Sequence, residues 1–248
     1  MPTEGNKLIK IGLAAKMLNI NRQTLRRWDK SGQLKSVRLN PKGNRYYRLR
    51  DIQLLINDIF SVAKDWILQS IPLEPDNQFY CLDSQTFQTR LNRLEKTLQT
   101  IPELEQDFSL ITSIVGEIGN NSFDHNLGSW PDIRGIFFAY DLKRRQIALA
   151  DRGQGILTTL LRVRPQLKND SEALLLAFTK KISGRAPENR GNGLKYVKRV
   201  LINTQKNIPL KLHFQSGDAF IALDEKTINL NIKQAEFKFQ GCLALISF

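Results

Sequence analysis

Residues 11–32 read IGLAAKMLNINRQTLRRWDKSG. Ile11, Leu13, Ala14, Met17 and Leu18 recur at the spacing that buries one face of a short helix. Asn21 stands where the N-cap of a second helix belongs, Leu25 and Trp28 supply that helix's buried side, and Gly32 suits its stop. Two short helices about a tight turn, the second carrying Arg22, Gln23, Thr24, Arg26 and Arg27, suit insertion into a major groove.

Downstream, LKSVRLNPKGNRYYRL (34–49) is two extended runs about an Asn-Pro-Lys-Gly-Asn turn, the pattern of a hairpin wing. Arg45, Tyr46 and Tyr47 at its return offer a cation and aromatic hydroxyls to a phosphate backbone. RDIQLLINDIF (50–60) then closes the small core through Ile52, Leu54, Leu55 and Ile59. From Lys7 to Arg50 the basic residues meet one acid, Asp29. An arginine-rich helix face alone is only a solvated face. With a wing beside it and charge of one sign, it points to double-stranded DNA as partner.

In the order IGLAAKMLNI, TLRRW, GQL and GNRYYRLRDI, residues 11–55 resemble the MerR-type winged helix-turn-helix family and its excisionase-like relatives. The resemblance implies that the second helix enters the major groove and the wing touches backbone, with DNA-contacting roles for Thr24, Arg26, Arg27, Arg45 and Tyr46. Arg22 joins them on the exposed helix face.

The 248 residues, 41% hydrophobic and 25% charged, suit a folded chain of two domains: a DNA-binding module over 1–60, a linker over 61–83 where the pattern loses period, and a larger domain over 84–248. The net charge of +13 concentrates its meaning in the first of these. No apolar run can span a bilayer and MPTEGNKLIK lacks a signal-peptide core, so a cytoplasmic protein with no membrane partner is expected. Cys81 and Cys242 read as free thiols, and a zinc site would need both of them to converge with His125 and His213. From Ser84, Phe87, Leu91, Leu94, Leu98 and Ile101 form a heptad-like helical seam, which suits packing on its own domain or formation of a homodimer equally.

A long helix follows in LITSIVGEIGNNSFDHN (110–126). Glu117 and Asn121, four apart, share a face, while Asn120, Asp124, His125 and Asn126 crowd the same end. So many polar groups point to a ligand, since each left buried and unpaired costs about 1–3 kcal/mol. In RGIFFAYDLKRRQIALADRGQGI (134–156), two β-rich runs end at Asp151 before Gly153 and Gly155. In NRGNGLKYVKRVL (189–201), Gly191 and Gly193 precede another helix. Singly, each glycine pair is a helix boundary, Glu117 a surface carboxylate and Asp151 a cap; in this order they are more than that.

EIGNNSFDH, DRGQG and RGNGL resemble the asparagine box and the two glycine boxes of the GHKL ATPases, the superfamily that includes gyrase-type topoisomerases, chaperone ATPases and histidine kinases. The resemblance covers roughly 104–248 and implies an α/β sandwich of the Bergerat type, giving an α+β chain overall, with ATP and Mg²⁺ as cofactors. From it, Asn121 would hold Mg²⁺ against the phosphates, Asp151 would accept from the adenine amine, and Gly153 and Gly155 would line the purine. Gly191 and Gly193 would contact phosphates, Glu117 would polarise the attacking water or hydroxyl, and residues 156–190 would form a lid carrying Lys180, Lys181 and Arg185. One departure is Cys242, where family members often have threonine.

Two functions follow. The first is a transcription regulator that binds DNA and responds to ATP. The second is an ATPase or a serine/threonine kinase of the anti-sigma type, acting on a protein partner and localised by its DNA-binding module. An autophosphorylating histidine kinase is disfavoured, since no histidine precedes His125.

Overall fold

The computed structural model describes residues 7–18, 20–32, 34–40, 43–56, 58–71, 73–181, 193–203 and 206–248. The chain divides into two compact units, Met1–Val62 and Ala63–Phe248.

The first unit runs β1 (Leu8–Lys10), α1 (Ile11–Met17), α2 (Arg22–Ser31), β2 (Val37–Arg38), β3 (Arg45–Arg48) and α3 (Leu49–Ile56). The Asn21 side chain accepts from the Thr24 amide at 2.7 Å to start α2, and Gly32 ends it in the left-handed region at φ 82°. β1 and β2 flank β3 in an antiparallel sheet, with Ile9 opposite Tyr47 and Val37 opposite Tyr46. Ile9, Ala14, Ala15, Leu25, Leu34, Tyr47 and Ile52 form the core. Leu13, expected inward, is 51% exposed, because Ala14 and Ala15 form the buried stripe of α1. Tyr47, expected on phosphate, is fully buried and its hydroxyl donates to the Leu25 carbonyl at 3.1 Å. The two-residue period of a strand sends adjacent Tyr46 and Tyr47 to opposite faces, and Tyr47 ties the sheet to α2.

The second unit is α+β. Its five-stranded antiparallel sheet has the order β4 (Tyr80–Cys81), β5 (Ile136–Asp141), β6 (Gln146–Asp151), β8 (Ile232–Ser247), β7 (Lys211–Leu223). Helices α5 (Ser84–Gln99), α6 (Phe108–Asn126), α8 (Asp170–Thr179) and α9 (Gly193–Ile202) share a core with Phe138, Leu149, Phe214 and Ala244 of the strands. Alternation sends Phe137 to the other face, where Trp66 of α4 (Ile59–Leu68) and Phe79 stack on it at 6.2 and 5.1 Å between ring centroids.

The seam on α5 is spent inside this unit: Phe87, Leu91, Leu94 and Leu98 are all buried in its core. Glycine permits the approach, since a Cβ on Gly119 of α6 would stand 2.2 Å from Phe87 Cζ. Residues 61–83, expected as a linker, instead continue α4 to Leu68, with Ala63, Trp66 and Ile67 buried, and supply β4 at the sheet edge. Their short pieces each pack on a distant element, which leaves no period to read. Residues 156–179, expected in a lid, form most of α7 (Gly155–Leu161) and all of α8, anchored by buried Leu160, Ala173, Leu174 and Phe178. No helix among the described residues is long and apolar enough to cross a membrane.

Candidate functional site

On α2, the side chains of Arg22, Gln23, Arg26 and Arg27 are exposed, while Thr24 is half-buried beside its capped amide. Arg22 folds back along α1, where a Cβ on Gly12 would come within 2.9 Å of its Nη2. Tyr46 is half-buried on β3. Arg45, expected on phosphate, gives its Nε to Asp29 Oδ2 at 2.7 Å, and Asp29 Oδ1 accepts the Ser36 amide at 2.9 Å. Burial pushes the Asp29 carboxyl up, but the Arg45 and Ser36 hydrogen bonds outweigh it and bring the group to about 2. The one acid of the basic run therefore fastens the wing to the end of the recognition helix.

In the second unit, α6, α7, α9 and strands β6, β7 and β8 enclose a cleft. Its polar lining includes Asn121, Ser122, His125, Asp151 and Cys242; its apolar lining includes Ile118, Ile156, Leu160 and Phe214. Asp151 ends β6 with 1% exposure. Its Oδ2 accepts from Ser122 Oγ at 2.7 Å and its Oδ1 from the Gly153 amide at 2.9 Å. Burial holds its carboxyl above the ordinary carboxylate range, opposed by those two hydrogen bonds and by one from the Cys242 amide.

Gly193 opens α9 against the face of α6 on which Glu117 and Asn121 stand. A Cβ there would lie 2.6 Å from Glu117 Oε2 and 3.0 Å from Asn121 Nδ2. Gly193, distant in sequence from Glu117 and Asn121, is thus brought beside them, and Asp151 lines the same cleft as Asn121 and Gly193.

Other expected residues fall elsewhere. Gly153 is covered by Asn126, whose Nδ2 would stand 2.1 Å from a Cβ on that glycine, so close approach of this side chain, not of a purine, requires glycine here. Gly155 does line the cleft, at φ 76°. Lys180 caps the C-terminus of α8 and is exposed, outside the cleft lining, as is Lys181. Arg185 and Gly191 lie outside the described residues. Asn120 points to α5 and accepts from Gln88 Nε2 at 2.7 Å.

Cys242 sits opposite both Asp151 on β6 and Ser216 on β7 in the strand register. Burial pushes its thiol well up, and the Asp151 charge adds to this. Hydroxyls nonetheless surround the position. Ser216 Oγ accepts the Ile156 amide at 2.9 Å and donates to the Gly241 carbonyl at 3.1 Å, while Ser122 supplies the donor to Asp151.

Three residues take roles that the sequence reading did not assign. Asn126, 3% exposed, accepts the Gln154 amide at 2.7 Å and donates to the Ser122 carbonyl at 2.8 Å, which locks the glycine loop onto α6. Ser216 aligns the start of α7. Arg152, next to Asp151, turns away from the cleft: its guanidinium meets Asp132 at 2.7 Å and the carbonyls of Trp66, Ile67 and Gln69 at 3.1, 3.0 and 2.9 Å. Among the described residues no group of three His, Cys, Asp or Glu side chains could hold a metal ion.

No curated protein shows significant similarity to the chain. The family model described as MerR family regulatory protein matches residues 10–47, the span from the end of β1 through the buried Tyr47 of β3. Residues 10–47 are a MerR-family helix-turn-helix, the DNA-binding module of a transcription regulator.

Proposed function

We propose that the cleft of the second unit binds ATP with Mg²⁺, as in the GHKL ATPases, and that nucleotide state modulates how the MerR-type module engages DNA or a protein partner. The observation that carries this reading is the meeting of Gly193 with Asn121 in the cleft that Asp151 also lines, with Glu117 Oε2 beside Gly193. A cradle that a single Cβ would fill, at the first residue of a ten-residue helix, suits close approach of a phosphate to backbone amides. Asp151 accepts from Ser122, Gly153 and the Cys242 amide, and the roughly four lone-pair sites of a carboxylate leave acceptor capacity for an exocyclic amine. Ile118, Ile156, Leu160 and Phe214 offer apolar surface to a planar ring.

The donor set fits Mg²⁺, a hard cation that takes one or two protein oxygens and completes its shell with phosphate and water. Asn121 would hold it through the amide oxygen, and it would neutralise phosphate charge. Arg185 and Gly191 belong to this reading as phosphate contacts. Glu117 stands beside Asn121 and Gly193, and this favours a second reading, in which it polarises water or a substrate hydroxyl and the protein is an ATPase or an anti-sigma-type kinase.

Calorimetry with Mg-ATP on the full chain and on Asn121→Ala tests the pocket, and phosphate release in the same samples separates the two readings. Binding in the parent and its loss in the variant is expected. Steady phosphate release favours the enzyme. A parent chain that binds no nucleotide refutes the pocket.

A further inference from the structure

Arg152 carries a positive charge into an interior where only 9% of the residue is exposed, and a cation taken from water must be matched by acceptors. The match is unusually complete. Its Nε and Nη2 engage the Asp132 carboxylate at 2.8 and 2.7 Å, and Nη1 donates to three carbonyls, those of Trp66, Ile67 and Gln69. The three carbonyls lie at the C-terminal end of α4, where a helix leaves its last acceptors unsatisfied and bears its negative pole. Arg152 is therefore a C-terminal clamp on α4 contributed from residues 83 to 86 positions away.

The clamp sits between two things that matter. On one side, Arg152 is bonded covalently to Asp151 and Gly153, and the loop they form is stiff: Asp151 accepts the Gly153 amide, and Asn126 accepts the Gln154 amide. On the other, α4 is held by the second unit through Trp66 on Phe137 and by Lys64 Nζ, 3.9 Å from the centre of the Phe237 ring. Yet α4 begins at Ile59, and the division between the two compact units falls inside it, after Val62. The helix that Arg152 holds is the covalent path from the MerR-family module into the second unit.

We propose that Arg152 is a positioning residue that couples the cleft to α4: ligand contact with Asp151 shifts the glycine loop, Arg152 carries the shift to the last turn of α4, and DNA affinity changes as a result. A cation held by four hydrogen bonds and an ion-pair contact cannot move without moving its acceptors or leaving them unpaired, so the displacement is transmitted. This inference rests on the nucleotide reading of the cleft and adds its route to DNA.

The test uses the full chain, a short DNA duplex obtained by selection with that chain, and a non-hydrolysable ATP analogue with Mg²⁺. In the parent, saturating analogue is expected to change the DNA dissociation constant by about 5- to 150-fold, the usual span of coupling between two sites. Arg152→Ala, and separately Arg152→Lys, which keeps charge but loses the planar fork, should still bind each ligand alone, with the fold-change falling towards one. Hydrogen exchange on the parent protects the test against a variant that fails to fold: the analogue should alter exchange of amides 66–70 together with those at Gly153 and Gln154. A parent that binds the analogue but leaves 66–70 unchanged, or an Arg152 variant with the full fold-change, overturns the inference and leaves the nucleotide pocket standing. A parent that binds no analogue removes both.

Discussion

The hydroxyl of Ser122 on α6 donates to Asp151 Oδ2 at the end of β6 across 2.7 Å, so the most buried carboxylate of the cleft is held by the helix that also carries Glu117 and Asn121. Burial dominates at Asp151 and raises its folded-state value above the ordinary 3.8. Above pH 3.8 the native state therefore keeps a proton that the unfolded chain releases, and stability falls as pH rises until the folded group also ionises. Asp151→Asn should be more stable than the parent near neutral pH, a gain that vanishes as pH falls towards 3.8, while its nucleotide affinity drops. Urea midpoints across this pH range check the first claim and calorimetry the second. A parent that gains on the variant as pH rises would contradict the assignment.

Gly193 and Gly153 should respond to alanine in opposite ways. At Gly193 the added methyl meets the ends of two side chains, Glu117 and Asn121, that can give way, so the fold survives and the cradle is filled. Nucleotide affinity should fall by at least about tenfold, or 1.4 kcal/mol. At Gly153 the methyl meets buried Asn126 at 2.1 Å and would displace both of its backbone bonds, with an expected loss of about 2–3 kcal/mol of stability. Thermal unfolding beside calorimetry distinguishes the two outcomes.

Asp29 offers the reverse pH sign from Asp151. Its folded value lies below the ordinary one, at about 2, so its contribution is present above pH 3.8 and is lost as pH falls through about 2. Asp29→Ala should cost about 1 kcal/mol at neutral pH and little at pH 2, and DNA binding should weaken because the wing loses its tie to α2. Denaturant titrations at the two pH values decide it; an equal loss at both would show that the ion pair is not the cause.

Arg26 and Arg27 are exposed on α2 without the tie that engages Arg45. If each meets a phosphate, alanine at either one lowers the slope of log affinity against log salt by about 1. Arg45→Ala should weaken binding with less change in slope, because its charge is already matched by Asp29. Fluorescence anisotropy over a salt series separates the cases.

Much of the first unit could be read directly. Asn21, Gly32 and the spacing of Leu25 report local events: a cap, a left-handed stop and a helical period, each written within a few residues of where it acts. The same holds for α6 and for the placing of Glu117 and Asn121 on one face. Arg45 was legible as part of the wing but not as the partner of Asp29, sixteen residues away, and Tyr47 was not legible as core.

The sequence by itself determined the helix-turn-helix, its wing, the amphipathic seam of α5 and the order of the polar boxes, because capping, periodicity and turn chemistry are local. Only tertiary structure decided that α5 buries its seam at home, that α4 belongs to the sheet's other face, and that Arg152 clamps that helix. Which acceptors surround a buried cation, or which glycine must make room for Asn126, depends on strands and helices meeting across scores of residues. No window of sequence contains both sides of such a contact.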